Sequence, residues 1–300
     1  MDWGAKGDSM ILAFDIGGSR IKAGHYDGNR LVPLGETPTP ARDEAGFVNA
    51  IAGFAAGRKL RGVAISIAGV VDPASGRGKV ANIPAIDGMP LAELLSPKLG
   101  VPVLVLNDAD CFALAEARQG AGRGFDSVFG VILGTGVGGG LVIGGRLVLG
   151  AGGYAGEWGH GPVLRGRHAL ACGCGQVGCV DMVGGARGLE RLHLAETGTA
   201  LTSEAIIAGW QAGEVAATAT VSLWRDLISG PLAMVLNVVG AGVVPVGGGL
   251  ANATGLVDYL DAAVRRQVLR VTEAPLLVPA QCGPDAGMIG AAEAGWAAWA

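Results

Sequence analysis

The sequence predicts an α/β fold built from two similar halves, and three observations carry that prediction. Short apolar runs alternate with longer helical patterns along all 300 residues, with no low-complexity linker and no long charge run. A strand–glycine turn–strand pattern occurs twice, at "ILAFDIGGSRIKAGHY" and at "SVFGVILGTGVGGGLVIGGRLVLG". A third glycine turn, Gly247 to Gly249, follows another apolar run late in the chain. Two such copies, each heading a βα segment, suggest halves that face one another, with a ligand held between them against both turns.

The elements follow in order. "ILAFD" (Ile11 to Asp15) reads as a buried strand, "IGGS" as a turn and "RIKAGHY" as the returning strand. "LRGVAISIAG" (Leu60 to Gly69) is a further strand ending in a turn. "VPVLVLND" is β-branched and stops at the polar pair Asn107 and Asp108, and "ADCFALAEARQG" continues as a helix that Gly120 can stop. After the second glycine pattern, "ISGPLAMVLNVVGAGVVPVGGGL" reads as a buried helix, a strand and the third turn. "DAGMIGAAEAGWAAW" closes the chain as an Ala-rich helix.

Composition narrows the function classes. The net charge is −4, from 22 Lys+Arg against 26 Asp+Glu, and no basic run occurs, so a nucleic-acid-binding face is not expected. No apolar stretch approaches the ~20 residues that span a bilayer. "MDWGAKGDSM" lacks the layout of a signal peptide. The expectation is a cytoplasmic protein without a membrane partner, in which thiols stay reduced and clustered cysteines point to a metal rather than to disulfides.

Glycine turns can be mere hairpin chemistry, since glycine adopts positive φ without steric cost. Three of them, the first led by Asp15, favour phosphate binding: successive backbone N–H groups form an anion-binding concavity. A neighbouring carboxylate can hold hydrated Mg²⁺ between phosphates. A dinucleotide fingerprint needs a helix after its glycines, whereas "GTGVGG" runs into a second strand. No Walker pattern occurs either. Asn107 and Asp108 end a strand, where α/β sheets place ligands. Asp108 reads either as the helix N-cap or as a general base that takes a hydroxyl proton during attack on a phosphate. Asn107, with a donor and an acceptor, suits a sugar hydroxyl.

Three of the five cysteines, Cys172, Cys174 and Cys179, fall within eight residues as "CGCGQVGC". Structural Zn²⁺ takes four tetrahedral ligands, and His160 and His168 are the candidates for the fourth. Four protein ligands leave no open position, so such a metal orders the loop. Glu157 and Asp181 flank it and, with His160, offer hydrogen-bonding groups suited to a polyol.

The motifs "DIGGSRIKAG", "LNDADCFALAEA", "GVILGTGVGGGL", "GEWGH" and "CGCGQVGCVD" together resemble the ROK family of sugar kinases, in order, from Ile11 to about Ala292. The resemblance implies an actin-like (ribonuclease H-like) ATPase fold with two domains around a deep cleft. A small domain would span residues 1–107, completed by a C-terminal helix at 284–300, and a large domain with the zinc loop would span 108–283. The resemblance implies ATP with Mg²⁺ at Asp15, Gly17, Gly18, Ser19 and Arg20. It adds Gly134, Thr135, Gly136, Val137, Gly138, Gly139 and Gly140, with Gly248 and Gly249 toward the adenosine. Asp108 would be the catalytic base for a sugar 6-hydroxyl. Gly69, Asn82, Asn107, Glu157, His160 and Asp181 would bind the sugar, and His160 would join Cys172, Cys174 and Cys179 on zinc. A homodimer is implied. "VANIPAIDGMPLAELL" and "VILGTGVGGGL" point within the family to N-acetylglucosamine, with glucose, fructose and N-acetylmannosamine as alternatives. Ser19 and Arg20 stand where the family has Thr-Lys, Ala68 where it has Pro, and Asp181 where it has Glu. Some members are repressors, which need a helix-turn-helix ahead of the first strand. Ten residues precede Ile11, too few for one, so a kinase is expected over a repressor or a catalytically silent sugar binder.

Overall fold

The computed structural model describes residues 10–299. The expectations drawn from the first residues, about a leader or a DNA-binding segment, fall outside the described residues. The elements run β1 (Met10–Ile16), β2 (Arg20–Tyr26), β3 (Leu31–Pro38), α1 (Glu44–Ala55), β4 (Leu60–Ile67), β5 (Val70–Val71), β6 (Gly78–Lys79), α2 (Leu91–Leu99), β7 (Val103–Asn107) and α3 (Asp108–Arg118). They continue with β8 (Ser127–Leu133), β9 (Val137–Ile143), β10 (Arg146–Leu147), α4 (Asp181–Gly184), α5 (Ala186–Thr197), α6 (Ser203–Gln211), α7 (Val215–Val239), β11 (Val244–Gly247), α8 (Leu256–Arg265), β12 (Leu277–Pro279) and α9 (Ala286–Ala298).

The two halves expected from the repeated pattern are two five-stranded sheets of the same topology, β3-β2-β1-β4-β7 and β10-β9-β8-β11-β12. Each begins with an antiparallel hairpin, β1 with β2 and β8 with β9, and then adds parallel strands, β4 and β7 in one, β11 and β12 in the other. This is the actin-like arrangement.

The chain divides into two compact units. The first runs to Arg118 and takes in Leu147–Ala155 and the chain from Cys282; the second holds Gln119–Arg146 and Gly156–Gln281. The sequence placed the first boundary at 107/108. The structure instead keeps α3 with the first unit, because α3 packs on α9 there. Gly290 of α9 lies against Cys111 so closely that a Cβ would overlap the Cys111 carbonyl. That backbone-to-backbone approach explains the Ala/Gly-rich sequence of α9.

Period-2 alternation along β1 sets the core of the first unit. Leu12, Phe14 and Ile16 point to one face, where they meet Phe47, Ile51, Ile65 and Leu95. Ile11 and Ala13 point to the other, with Cys111, Met288 and Ala291. Strands buried on both faces read as near-continuous apolar runs, which is why "VAISI" is legible despite Ser66. In the second unit α7 begins at Val215, well before the apolar stretch that marked it, and continues through Pro231. Its reading as a buried helix holds for one face only: Trp224 and Ile228 are buried, whereas Met234 and Val238 are 66% and 77% exposed. Among the described residues no helix is long and apolar enough to cross a membrane.

Candidate active site

The first glycine turn joins β1 to β2. Gly17 N–H donates to Arg20 O at 3.0 Å, and Thr39 holds the turn from β3's end through Oγ1 to Gly17 O at 2.7 Å and N–H to Ser19 O at 3.0 Å. Gly18 and Ser19 keep their amides uncommitted. Asn82 lies against this turn; a Cβ on Gly18 would stand 3.0 Å from the Asn82 Cβ. Asp15 sits just before the turn and accepts from Ser66 Oγ at 3.0 Å. Burial raises the Asp15 carboxyl above its ordinary value, against the pull of Ser66 and Lys22, and Asp285 adds to the rise. Arg20 is exposed, and its guanidinium pairs with Glu36 at 2.5 Å.

The second turn joins β8 to β9. Gly134 N–H donates to Gly136 O at 3.0 Å, and Val137 N–H donates to Asp181 Oδ1 at 2.8 Å. Thr135 and Gly136 therefore carry the turn's uncommitted amides. Val137, among the residues the resemblance assigns to ATP, gives its backbone N–H to the Asp181 carboxylate. Gly139 and Gly140 lie within β9, paired with Val131 and Gly130. Gly139 is glycine because a Cβ would stand 2.7 Å from Gly156 O and from Trp158 Cδ1. Trp158, from "GEWGH", donates its indole N–H to Gly138 O at 3.0 Å. The third turn packs on the second: a Cβ on Gly248, at φ +90, would strike the Leu133 backbone. Beside Gly249 a cavity of about 290 Å³ is lined by Ala186, Ser203, Glu204, Ile207, Gln211 and Asn252 among others.

Simple hairpin chemistry does not explain the first two turns, since none of their glycines has positive φ. At Gly17 and Gly134 a Cβ would meet nothing nearer than 3.8 Å and 3.6 Å respectively. The chain itself makes no demand for glycine at either position.

Asn107 and Asp108 stand where β7 meets α3. The capping role falls to Asn107, whose Oδ1 accepts from Ala109 N–H at 2.7 Å and Asp110 N–H at 3.1 Å. Its Nδ2 donates to Gly69 O at 2.9 Å, which leaves one amide hydrogen for a ligand. Asp108 opens the helix, with Oδ1 2.9 Å from Ala109 N. Gly69 has φ +155, and a Cβ there would collide with Lys79 O, so only glycine closes this turn.

The loop 156–181 gathers His160, Cys172, Cys174 and Cys179, whose ligand atoms all lie within 4.8 Å of one another. A tetrahedral site with metal–sulfur bonds of about 2.3 Å has sulfur–sulfur edges of about 3.8 Å. The observed Cys174–Cys179 Sγ separation is 3.6 Å, and Cys172 Sγ lies 3.7 Å from His160 Nδ1, so the residues fit a tetrahedral ion. Tight turns build the knuckle: Cys172 N–H donates to Gln176 O and Gly175 N–H to Cys172 O, with Gly175 at φ +90. Gly161 N–H donates to Cys179 Sγ at 3.4 Å. The Gln176 amide pulls the Cys174 thiol down to about 7, and burial pushes Cys172 up to about 11. His168, the other candidate, pairs with Glu196 at 3.6 Å. The far nitrogen of His160, Nε2, faces Glu157 Oε2 at 3.7 Å. Burial raises the Glu157 carboxyl; His160 opposes that and Asp181 adds to it.

Sequence reasoning missed Thr39, Ser66, Trp158 and Gly287. A Cβ on Gly287, at the start of α9, would stand 2.7 Å from Asp15 Oδ1. None of these is adjacent in sequence to the group it supports, and only Trp158, inside "GEWGH", sits in a motif.

Comparison with known proteins agrees with this construction. The chain is 35% identical over 297 residues to the N-acetyl-D-glucosamine kinase of Salmonella arizonae, covering 94% of this chain and 98% of that protein. It superposes on the ROK hexokinase of Thermus thermophilus with a TM-score of 0.86 at 33% identity, over 96% and 98% of the two chains. A ROK family glucokinase from Streptomyces griseus, in complex with glucose and AMPPNP, gives a TM-score of 0.77 at 30% identity, over 95% and 99%. Residues 11–296 match the ROK family, and the chain belongs to it.

Proposed function

We propose that the protein is an ATP-dependent hexose kinase that phosphorylates a sugar 6-hydroxyl, with N-acetylglucosamine as its preferred substrate. The observation that carries the reading is the pair of glycine turns. Gly18, Ser19, Thr135 and Gly136 offer uncommitted amides, and Gly17 and Gly134 are glycine without any need from the chain. A backbone that must lie against phosphate oxygens accounts for both facts. Asp15, in this reading, holds Mg²⁺, which neutralises phosphate charge.

Asp108 accepts the 6-hydroxyl proton as that oxygen attacks the γ-phosphoryl group. Asn107 helps to hold the sugar with its remaining amide hydrogen, its other bonds fixing the side chain. Asn82, Gly69, Glu157, His160 and Asp181 complete the sugar contacts. His160, Cys172, Cys174 and Cys179 hold zinc, which supplies order to the loop and no step of the reaction. The named activity of the Salmonella relative favours N-acetylglucosamine, and the Streptomyces glucokinase makes glucose the alternative. The active species is a homodimer, which light scattering on the purified protein reads directly.

The test is a coupled ADP-release assay against a panel of six-carbon sugars. The highest kcat/KM is expected with N-acetylglucosamine. No sugar-dependent ADP release from any hexose would overturn the kinase reading.

A further inference from the structure

We propose that Asp181 is a positioning residue for phosphoryl transfer: its carboxylate holds the second glycine turn in the shape that presents the Thr135 and Gly136 amides to the nucleotide. The proposal rests on the kinase reading and assigns Asp181 a role beyond sugar contact. Asp181 is itself fixed, since its N–H donates to Gly159 O at 2.9 Å. Its Oδ1 then accepts from Val137 N–H at 2.8 Å. A Cβ on Gly136 would overlap that same oxygen, so Gly136 is glycine to admit the carboxylate.

The segment that follows completes the grip. Ala186 N–H donates to Gly134 O at 2.8 Å and Arg187 N–H to Thr135 O at 3.3 Å. Gly185 lies so near that its Cβ would stand 2.6 Å from Gly136 Cα. Residues 181–187, directly after Cys179, therefore satisfy two carbonyls and one amide of the turn. The donors left over are those of Thr135 and Gly136. A charge-assisted bond to a backbone N–H is among the stronger ones a loop can have, and its loss frees the turn to relax.

The test compares full-length wild type with Asp181→Ala and Asp181→Asn, and with Asp181→Leu as a volume-keeping substitute that also lacks the acceptor. Steady-state kinetics vary MgATP and N-acetylglucosamine separately, and hydrogen exchange is followed over residues 131–140. D181A and D181L should raise the KM for MgATP about tenfold, the loss expected for one hydrogen bond to a charged group. They should also speed exchange in the turn. D181N, whose carbonyl oxygen can still accept from Val137, should restore most of both. A rise confined to the sugar KM with unchanged exchange would overturn the proposal, as would a D181N variant no better than D181A. If the wild type released no ADP with any sugar, the kinase reading would fail, while the exchange comparison would still judge the clamp.

Discussion

Replacing Ser66 by Ala removes one hydroxyl from β4, and the consequences can be worked through in full. Ser66 is 0% exposed, and its hydroxyl donates to Asp15 Oδ1 at 3.0 Å. A neutral hydrogen bond contributes about 1 kcal/mol, and one to a charged acceptor about 1.5–3 kcal/mol. Burial holds the folded Asp15 carboxyl above 3.8, its ordinary value, and Ser66 is the strongest opposing influence. A carboxyl raised on folding contributes stability that is present below the unfolded value and lost as pH rises through the folded one. Removing the Ser66 donor raises the folded value further and enlarges that loss. The variant should therefore fall short of wild type by about 1 kcal/mol in acid and by about 1.5–3 kcal/mol at neutral pH. Urea unfolding at about pH 4 and about pH 8 reads the difference. Because the charged form is the one proposed to hold Mg²⁺, the KM for MgATP at neutral pH should also rise about tenfold. A stability loss that does not change with pH, together with an unchanged MgATP KM, would refute the assignment of Ser66 as support for an ionised Asp15.

Three other perturbations probe the remaining parts. Asp108→Asn should lower kcat by about 10²–10⁴, the range for loss of a general base, while equilibrium binding of the sugar persists; unchanged turnover removes Asp108 from the role. Cys174→Ala should reduce zinc from about one per chain, read by elemental analysis, and raise the sugar KM in parallel. Loss of metal with sugar affinity intact separates the loop from the sugar site. Gly134→Ala meets no contact closer than 3.6 Å and needs no positive φ. Its unfolding free energy should stay within about 1 kcal/mol of wild type while the MgATP KM rises at least about tenfold, since the added methyl would occupy the proposed phosphate cradle.

Several features were legible in the chain because they are local. The strands "ILAFD" and "VAISI" could be read because strands covered on both faces carry near-continuous apolar runs, here interrupted only by Asp15 and Ser66. The Cys/His cluster was legible because tetrahedral coordination requires ligands close together, and C-x-C-x₄-C supplies three candidates within one knuckle. The repeated strand–glycine–strand pattern announced two sheets of one topology, which the strand orders bear out.

Tertiary structure alone decided what the glycines and acids in those motifs do. Gly134, Gly136 and Gly139 look alike in "GTGVGG": at the first a Cβ would meet nothing nearer than 3.6 Å, the second makes room for Asp181, and the third yields to Trp158. Val137 and Asp181 are 44 residues apart and Ser66 and Asp15 are 51 apart, so no spacing rule could pair them. The cap expected of Asp108 is made by Asn107, whose Oδ1 accepts from Ala109 N–H while its amide donates to Gly69 O, far off in sequence. The physical reason is the same in each case. Hydrophobic periodicity and ligand spacing are written along the backbone. The partner of a single hydrogen bond is chosen only when distant segments pack and leave each buried polar group one acceptor within reach.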